Sequence, residues 1–330
     1  MSALFGDDSK AGKTILVVDV ENGSVASALV RLSSTENPKL FAEHRVALPV
    51  RHSISSMMMF EEVKKALAES LEKTGAVAAR IRQNKQLAQQ GIIGGAHVFL
   101  SPPWTTTAQG SGGMEWDFEP HVITDIRRSI ETITGDTPLR HHSLSWAAAH
   151  AASSLIEGRL LLCIVTGEIV ELLVVEDGRI DGRATVPIGL HTLLRTLTTH
   201  TGVSIAEARS ALRLYQHSSA DPLAFQEPLR AAADHFVEQF TDVAETLLSS
   251  YPVSTIVVIA QEPAGEWFAR ALAAHAAIAR LFPAGGTTRD IRAKHLKPYV
   301  TTHETSLDVQ LMLEALFAHS LHRSEYGIKY

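Results

Sequence analysis

Two β-hairpin signatures, one opening each half of the chain, constrain the fold more than any other feature. Thr14-Ile-Leu-Val-Val-Asp19 is an apolar run of strand length, Asn22-Gly23 supplies a tight turn, and Ser24 to Arg31 continues as a second strand. Later, Leu160 to Val165 and Ile169 to Val175 read as strands, Asp177-Gly178 as a turn, and Arg179 to Pro187 completes a meander. With 330 residues the chain is about twice the usual single-domain length, so the recurring hairpin predicts two related lobes. No tandem repeat with a period of about 20 to 50 residues accompanies it.

The remaining elements alternate. A strand is predicted at His44 to Leu48, closed by Pro49. Phe60, Val63, Leu67 and Leu71 fall at helical spacing and predict an amphipathic helix from Met57 to near Gly75. Ala76 to Gln90 reads as a solvated helix or a connector before a strand at Ala96 to Leu100, which Pro102-Pro103 stops. Gln109 to Gly113 reads as a loop. Ile123, Ile126, Ile130 and Ile133 form one helical stripe, and a helix of small residues runs from Trp146 to Ser154. Helices follow at Leu190 to Thr199, from Ser204 with Glu207 as its capping partner, and from Glu227 to Ser250. A buried strand at Thr255 to Ala260, a helix at Glu266 to His275 and a last helix at Leu307 to His319 close the chain.

Several function classes are disfavoured. A net charge of -6 offers no basic field for phosphate backbones, so nucleic acid is not expected as a partner. No apolar run approaches the roughly 20 residues that cross a bilayer. The opening MSALFGDDSKAGK lacks the apolar stretch of a secretory signal and Cys163 has no cysteine to pair with, which together predict a cytoplasmic chain. Gly6 to Thr14 mimics a phosphate-binding loop, but it carries one residue too many and precedes a strand instead of following one. The 16 histidines form no metal-ligand spacing, and neither a metal nor a catalytic residue is predicted.

The order of elements resembles that of actin-like ATPases, and most closely the group that holds the pilus-assembly protein PilM and the cell-division protein FtsA. Leu172 to Ala208 is similar to the segment where a hairpin of that group ends in Pro-Ile-Gly and enters a helix; here the turn is Pro187-Ile188-Gly189. Val17 to Leu32 resembles the first phosphate hairpin, His142 to Ala151 the approach to the second, and Thr255 to His275 the adenosine segment. The resemblance implies an α/β, actin-like (ribonuclease H-like) two-lobed fold with a small inserted subdomain. Its expected parts are a tail at 1–12, a first lobe at 13–154 with the insertion at about 50–135, a second lobe at 155–304, a helix at 305–319 returning to the first lobe, and a polar tail at 320–330.

The resemblance also implies where a nucleotide would sit: Asp19, Asn22, Gly23 and Ser24 in the first hairpin, Thr166 and Gly167 in the second. Backbone amides of two such turns wrap phosphates, and acidic residues hold Mg²⁺ through its waters. Departures are evident. Glu21 replaces a glycine of the first turn, Ile164 stands where the family carries an Asp, Thr166 where it carries Gly, and Glu168 and Glu171 where it carries small or hydroxyl residues. The adenosine loop reads Gln261-Glu262-Pro263. The expectation is a scaffold with a degenerate site and no cofactor; an ATPase with Mg·ATP in a rearranged site is the alternative. Trp104 and Trp116 are the expected docking residues for a protein partner, such as the cytoplasmic tail of a membrane protein. Direct membrane insertion is not expected, and self-association is left open.

Overall fold

A computed structural model describes residues 12–51, 55–110, 113–217, 225–262, 264–282, 285–302 and 308–325, with side chains undescribed at 107–110, 113–116 and 215–217. Strands β1 (Lys13–Val20), β2 (Ser24–Leu32) and β3 (Lys39–Ala47) lead to α1 (Ser56–Gln83), a 3₁₀ turn (Ala88–Gly91) and β4 (Ile93–Leu100). Next come β5 (Thr105–Gly110), β6 (Gly113–Phe118), α2 (Pro120–Thr134), β7 (Leu139–Ser143) and α3 (Leu144–Leu155). The chain continues through β8 (Leu160–Val165), β9 (Val170–Glu176), β10 (Arg179–Val186), α4 (Leu190–Thr201), α5 (Ile205–His217) and α6 (Gln226–Ser250). It ends with β11 (Thr255–Ala260), α7 (Ala264–Ala274), α8 (Ala276–Leu281), β12 (Thr287–Asp290), α9 (Ala293–Leu296), β13 (Thr301–Thr302) and α10 (Val309–Glu325).

These elements form two compact units. The first comprises Met1–Leu48, Ser55–Ala147 and Ala293–Tyr330; the second comprises Pro49–Ile54 and Ala148–Arg292.

The first unit is built on a six-stranded sheet ordered β13-β3-β2-β1-β4-β7. Strands β1 to β3 are antiparallel neighbours, whereas β4 pairs parallel to β1 and β7 parallel to β4. Successive side chains of a strand point to opposite faces, so the near-continuous apolar run of β1 means that both faces are covered. Leu16 and Val18 share a core with Phe60, Val63 and Leu67 of α1 and Ile126 and Ile130 of α2. Ile15 and Val17 are equally buried, and α10 packs on β1 and β2.

The second unit repeats the opening meander in a five-stranded sheet, β10-β9-β8-β11-β12. Strand β11 lies parallel to β8, in the register Ile256↔Leu161 to Ala260↔Val165. Phe236 and Phe240 of α6 join Trp267 and Phe268 of α7 in its core, with Phe236 and Phe268 edge to face at 4.9 Å.

Several elements depart from the sequence expectation. Helix α1 runs through Gly75 and on to Gln83, burying Ala78 and Ile81. At Gly75 a Cβ would lie 3.2 Å from the Ile133 side chain, so the glycine serves the close approach of α2 and does not end the helix. Strand β3 begins at Lys39, ahead of the expected His44, with a register shift opposite Ser27–Leu29. Where a loop was expected from Gln109 to Gly113, Thr105–Gly110 and Gly113–Phe118 pair as an antiparallel hairpin. Leu139–Ser143 is a strand, hidden in the sequence by Arg140-His141-His142. Helix α10 extends to Glu325, so Ser320 to Glu325, expected to start a polar tail, are helical, and His322 is buried. Of the phosphate-loop mimic from Gly6 to Thr14, residues 6–11 lie outside the described residues.

Candidate functional site

In the first hairpin the site is assembled by strand register. Asp19 of β1 lies opposite Ala26 of β2, and Ala26 lies opposite Arg45 of β3. Cross-strand partners share a face, and the methyl of Ala26 leaves the space over which a long side chain reaches its second neighbour. Arg45 Nη2 accordingly donates to Asp19 Oδ2 at 2.6 Å and Nη1 donates to Ser24 Oγ at 2.7 Å, with Glu21 Oε1 at 3.5 Å from Nη1. Its Nε and Nη2 grip Asp308, whose carboxylate also accepts from the backbone N–H groups of Gln310 and Leu311 and so caps α10. Within the turn, Glu21 N–H donates to Ser24 O at 3.0 Å, and Asn22 Nδ2 donates to Pro102 O at 2.7 Å.

Asp19, Glu314 and Gln310 are 0 % exposed and Glu21 is 1 % exposed. Burial raises the Asp19 carboxyl from its ordinary value against the pull of Arg45. Burial and the neighbouring Asp19 charge push Glu21 and Glu314 up much further. For Arg45 burial acts downward, but Asp308, Asp19 and Glu21 outweigh it and hold the guanidinium well above its usual value.

The second hairpin is closed on itself. Thr166 donates both its N–H and its hydroxyl to Ile169 O at 3.0 Å, and the N–H groups of Leu190 and His191 donate to Thr166 O and Gly167 O at 2.9 and 2.6 Å. The Pro187-Ile188-Gly189 turn thereby seats the start of α4 on the β8–β9 turn. Gly189 is required there, because a Cβ would stand 2.5 Å from Gly167 O and 2.6 Å from Ile169 N. Glu168 accepts from His191 Nδ1 at 3.0 Å and takes two parallel bonds from Arg195 at 2.9 and 2.8 Å. Burial works to raise its carboxyl, but those bonds prevail and hold it at about 2. Glu171 pairs with Arg183, and Ile164, opposite Glu171 on β8, is buried at 1 % exposure.

After β11, Ala264 N–H donates to Gln261 O at 2.9 Å, while Pro263 lies outside the described residues. Glu266 in the first turn of α7 is held by Arg270 and by Arg292 Nη1 at 3.0 Å.

Asp19, Asn22, Gly23 and Ser24 thus come together in one turn, and Thr166 and Gly167 in another. Bound in the manner that the sequence resemblance implies, Mg·ATP would need Asp19 turned to the metal and small, amide-bearing loops beside the phosphates. The residues do not fit that requirement: Asp19 is neutralised by a guanidinium of the same chain, and Glu21 adds a carboxyl to the first turn. Sequence reading missed Arg45, Asp308, Gln310 and Glu314 in the first unit, and His191, Arg195 and Arg183 in the second. A glutamate inside Leu311-Met-Leu-Glu-Ala-Leu-Phe-Ala318 was the available signal; Arg45, which follows Glu43-His44 in β3, carries none.

Trp104 is buried, 5.7 Å from Phe60 between ring centres. It borders a cavity of about 400 Å³ lined also by Met57, Pro103, Glu119 and His121. Its indole N–H has no hydrogen-bond partner among the described residues. Trp116 lies on β6 with its side chain outside the described set. No group of three or more metal-ligating side chains, and no helix long and apolar enough to cross a membrane, occurs among the described residues.

Two sheets that each open with an antiparallel meander and close with parallel strands define an actin-like ATPase fold. Among solved structures, the PilM-PilN type IV pilus biogenesis complex matches with a TM-score of 0.57 at 9% identity over 96% of this chain and 99% of that one. The ethanolamine utilization protein EutJ from Carboxydothermus hydrogenoformans matches with a TM-score of 0.54 at 13% identity over 96% and 95%. At these identities the likeness is one of fold. No family model and no curated protein sequence matches the chain.

Proposed function

We propose that this chain is a non-hydrolysing actin-like scaffold that joins a membrane-associated assembly of the type IV pilus or cell-division kind by binding a protein partner. The observation that carries the reading is the ion pair between Arg45 and Asp19. The carboxylate that the fold would offer to a metal is already neutralised inside its own sheet, and a buried pair of this kind is not opened cheaply. The internal bonding of Glu168 supports the same reading from the second hairpin.

A protein partner is supported by the likeness to a complex of PilM with PilN. The apolar cavity beside Trp104 and the neighbouring exposed side chains of Met57 and Met58, 76% and 47% exposed, offer a surface for it. Contact with a membrane would then pass through the partner, and the purified chain alone should not float with liposomes.

Isothermal titration with Mg·ATP tests the reading. The expected outcome is no binding heat and no thermal shift at millimolar nucleotide. Micromolar binding abolished by Asp19→Ala would establish the rival, an ATPase whose phosphate site has been rebuilt around the same hairpin.

A further inference from the structure

Among the described residues around Arg45, the first unit gathers more carboxyl groups than that one guanidinium can answer. Asp19 from β1, Glu21 from the following turn, Asp308 ahead of α10 and Glu314 within α10 are four carboxyl groups gathered around Arg45. A guanidinium has five N–H donors. Here Nε and one N–H of Nη2 go to Asp308, the other N–H of Nη2 to Asp19, one N–H of Nη1 to Ser24, and the last faces Glu21. Nothing remains for Glu314, which is 0 % exposed and has no hydrogen-bond partner at either oxygen among the described residues. Gln310, one turn earlier on α10 and equally buried, brings an amide and no charge.

Among the described residues, no other cation makes up the difference. Burial acts most strongly on Glu314, and the largest charges that follow are, in order, Asp19, Arg45, Asp308 and Glu21. Glu43 on β3 is engaged by Thr302 Oγ1 and the Asp308 N–H. Arg31 on β2 sits at the far end of the strand, beside Gly12, and Lys294 and His295 on α9 are exposed. His319 and His322, on later turns of α10, are pushed down by burial and stay neutral. An ionised carboxylate buried without a partner carries a desolvation cost that protonation removes.

We propose that Glu314 is a proton-binding site: its carboxyl stays protonated in the folded chain at neutral pH, and loss of that proton loosens α10 from the β1–β2 hairpin. The sign is set by linkage. An unfolded glutamate gives up its proton above about pH 4.3, whereas the folded one keeps it, so folding takes up a proton and stability falls as pH rises. The helix is then held most firmly on the acid side of neutrality and released on the alkaline side. The proposal is independent of whether nucleotide or partner binds.

The test compares the full-length wild type with Glu314→Gln, an isostere of the protonated form. In infrared difference spectra at neutral pH, the wild type should show a protonated buried-carboxyl band that the variant lacks; a band from Glu21 would persist in both. Between about pH 5 and 9, the unfolding equilibrium constant of the wild type relative to the variant should rise by up to about tenfold per pH unit until the folded carboxyl titrates. Amide exchange in α10 should quicken over the same range in the wild type alone. Identical spectra and parallel pH profiles would overturn the proposal. Should Glu314→Gln not fold, Glu21→Gln isolates the Glu314 band: a protonated-carboxyl band that remains in that variant at pH 7 and is lost with a midpoint above neutrality, matched to α10 exchange, supports the proposal, and its absence at pH 7 defeats it.

Discussion

Arg45 and Asp19 are 26 residues apart in sequence and 2.6 Å apart in the fold, joined across the intervening Ala26 of the same sheet. A buried pair of this kind adds little net stability over an apolar substitute, yet removing one member strands the other. Arg45→Ala should therefore cost about 3–5 kcal/mol in urea unfolding, because Asp19, Glu21 and Asp308 lose their shared counter-charge. In a double-mutant cycle, Asp19→Asn combined with Arg45→Gln should lose clearly less than the sum of the two single changes. Strict additivity would show that the pair is not coupled.

Ala26 carries its own prediction. A larger side chain at this position would stand between the two charged groups, so Ala26→Leu should disrupt the pair and destabilise the first unit by about 1–3 kcal/mol through overpacking. Gly189→Ala should act similarly in the second unit, since its Cβ meets backbone atoms of the β8–β9 turn at 2.5 to 2.6 Å. Thermal scans of both variants check this, and an unchanged midpoint for Gly189→Ala would contradict the described seat of α4.

His97 and His142, on the neighbouring strands β4 and β7, form a hydrogen bond of 3.0 Å between Nδ1 and Nε2. Burial first, then the charge of His142 on His97 and of Arg140 on His142, lowers them to about 3 and about 4. Both groups bind protons more weakly folded than unfolded. Their contribution is therefore complete above the unfolded histidine value of about 6.5 and is lost as pH falls through the folded values. His97→Gln should flatten the acid limb of the stability profile, where the wild type loses up to about 1.4 kcal/mol per pH unit for each such group. This trend runs opposite to the one set by Glu314, which is why each needs its own variant.

The cavity beside Trp104 separates docking from folding. Trp104→Ala removes a core side chain and should cost about 3–5 kcal/mol whatever the partner does. Met57, 76% exposed on the same rim, can be changed without that penalty. Met57→Ser should leave the unfolding midpoint within about 0.5 kcal/mol of wild type while weakening capture of a partner's cytoplasmic segment. Undiminished capture by the Met57 variant would remove this rim from the docking surface.

Much of the fold was legible because neighbouring residues specify it. The apolar runs at Thr14–Asp19 and Thr255–Ala260, the Asp177-Gly178 turn and the Ser204–Glu207 capping pair all act within a few residues, and each lies where expected. Gly75 misled because a glycine that admits a neighbouring helix looks the same in sequence as one that ends a helix. The strand at Leu139–Ser143 was hidden because its half-buried histidines lack the usual apolar alternation. The residues of both hairpin turns were named, but not what neutralises them. Arg45 reaches Asp308 across 263 positions, and no local pattern reports such a partner.

The first unit is discontinuous: its sheet is begun by β1 to β3 and is completed by β13 and covered by α10 only after the whole second unit has been made. On the ribosome, the second unit has its full set of strands exposed while β1 to β3 still lack their covering helix and the Asp308 that Arg45 will grip. The nascent first unit therefore carries an uncovered apolar face for the time taken to synthesise roughly half the protein, a natural window for chaperone capture.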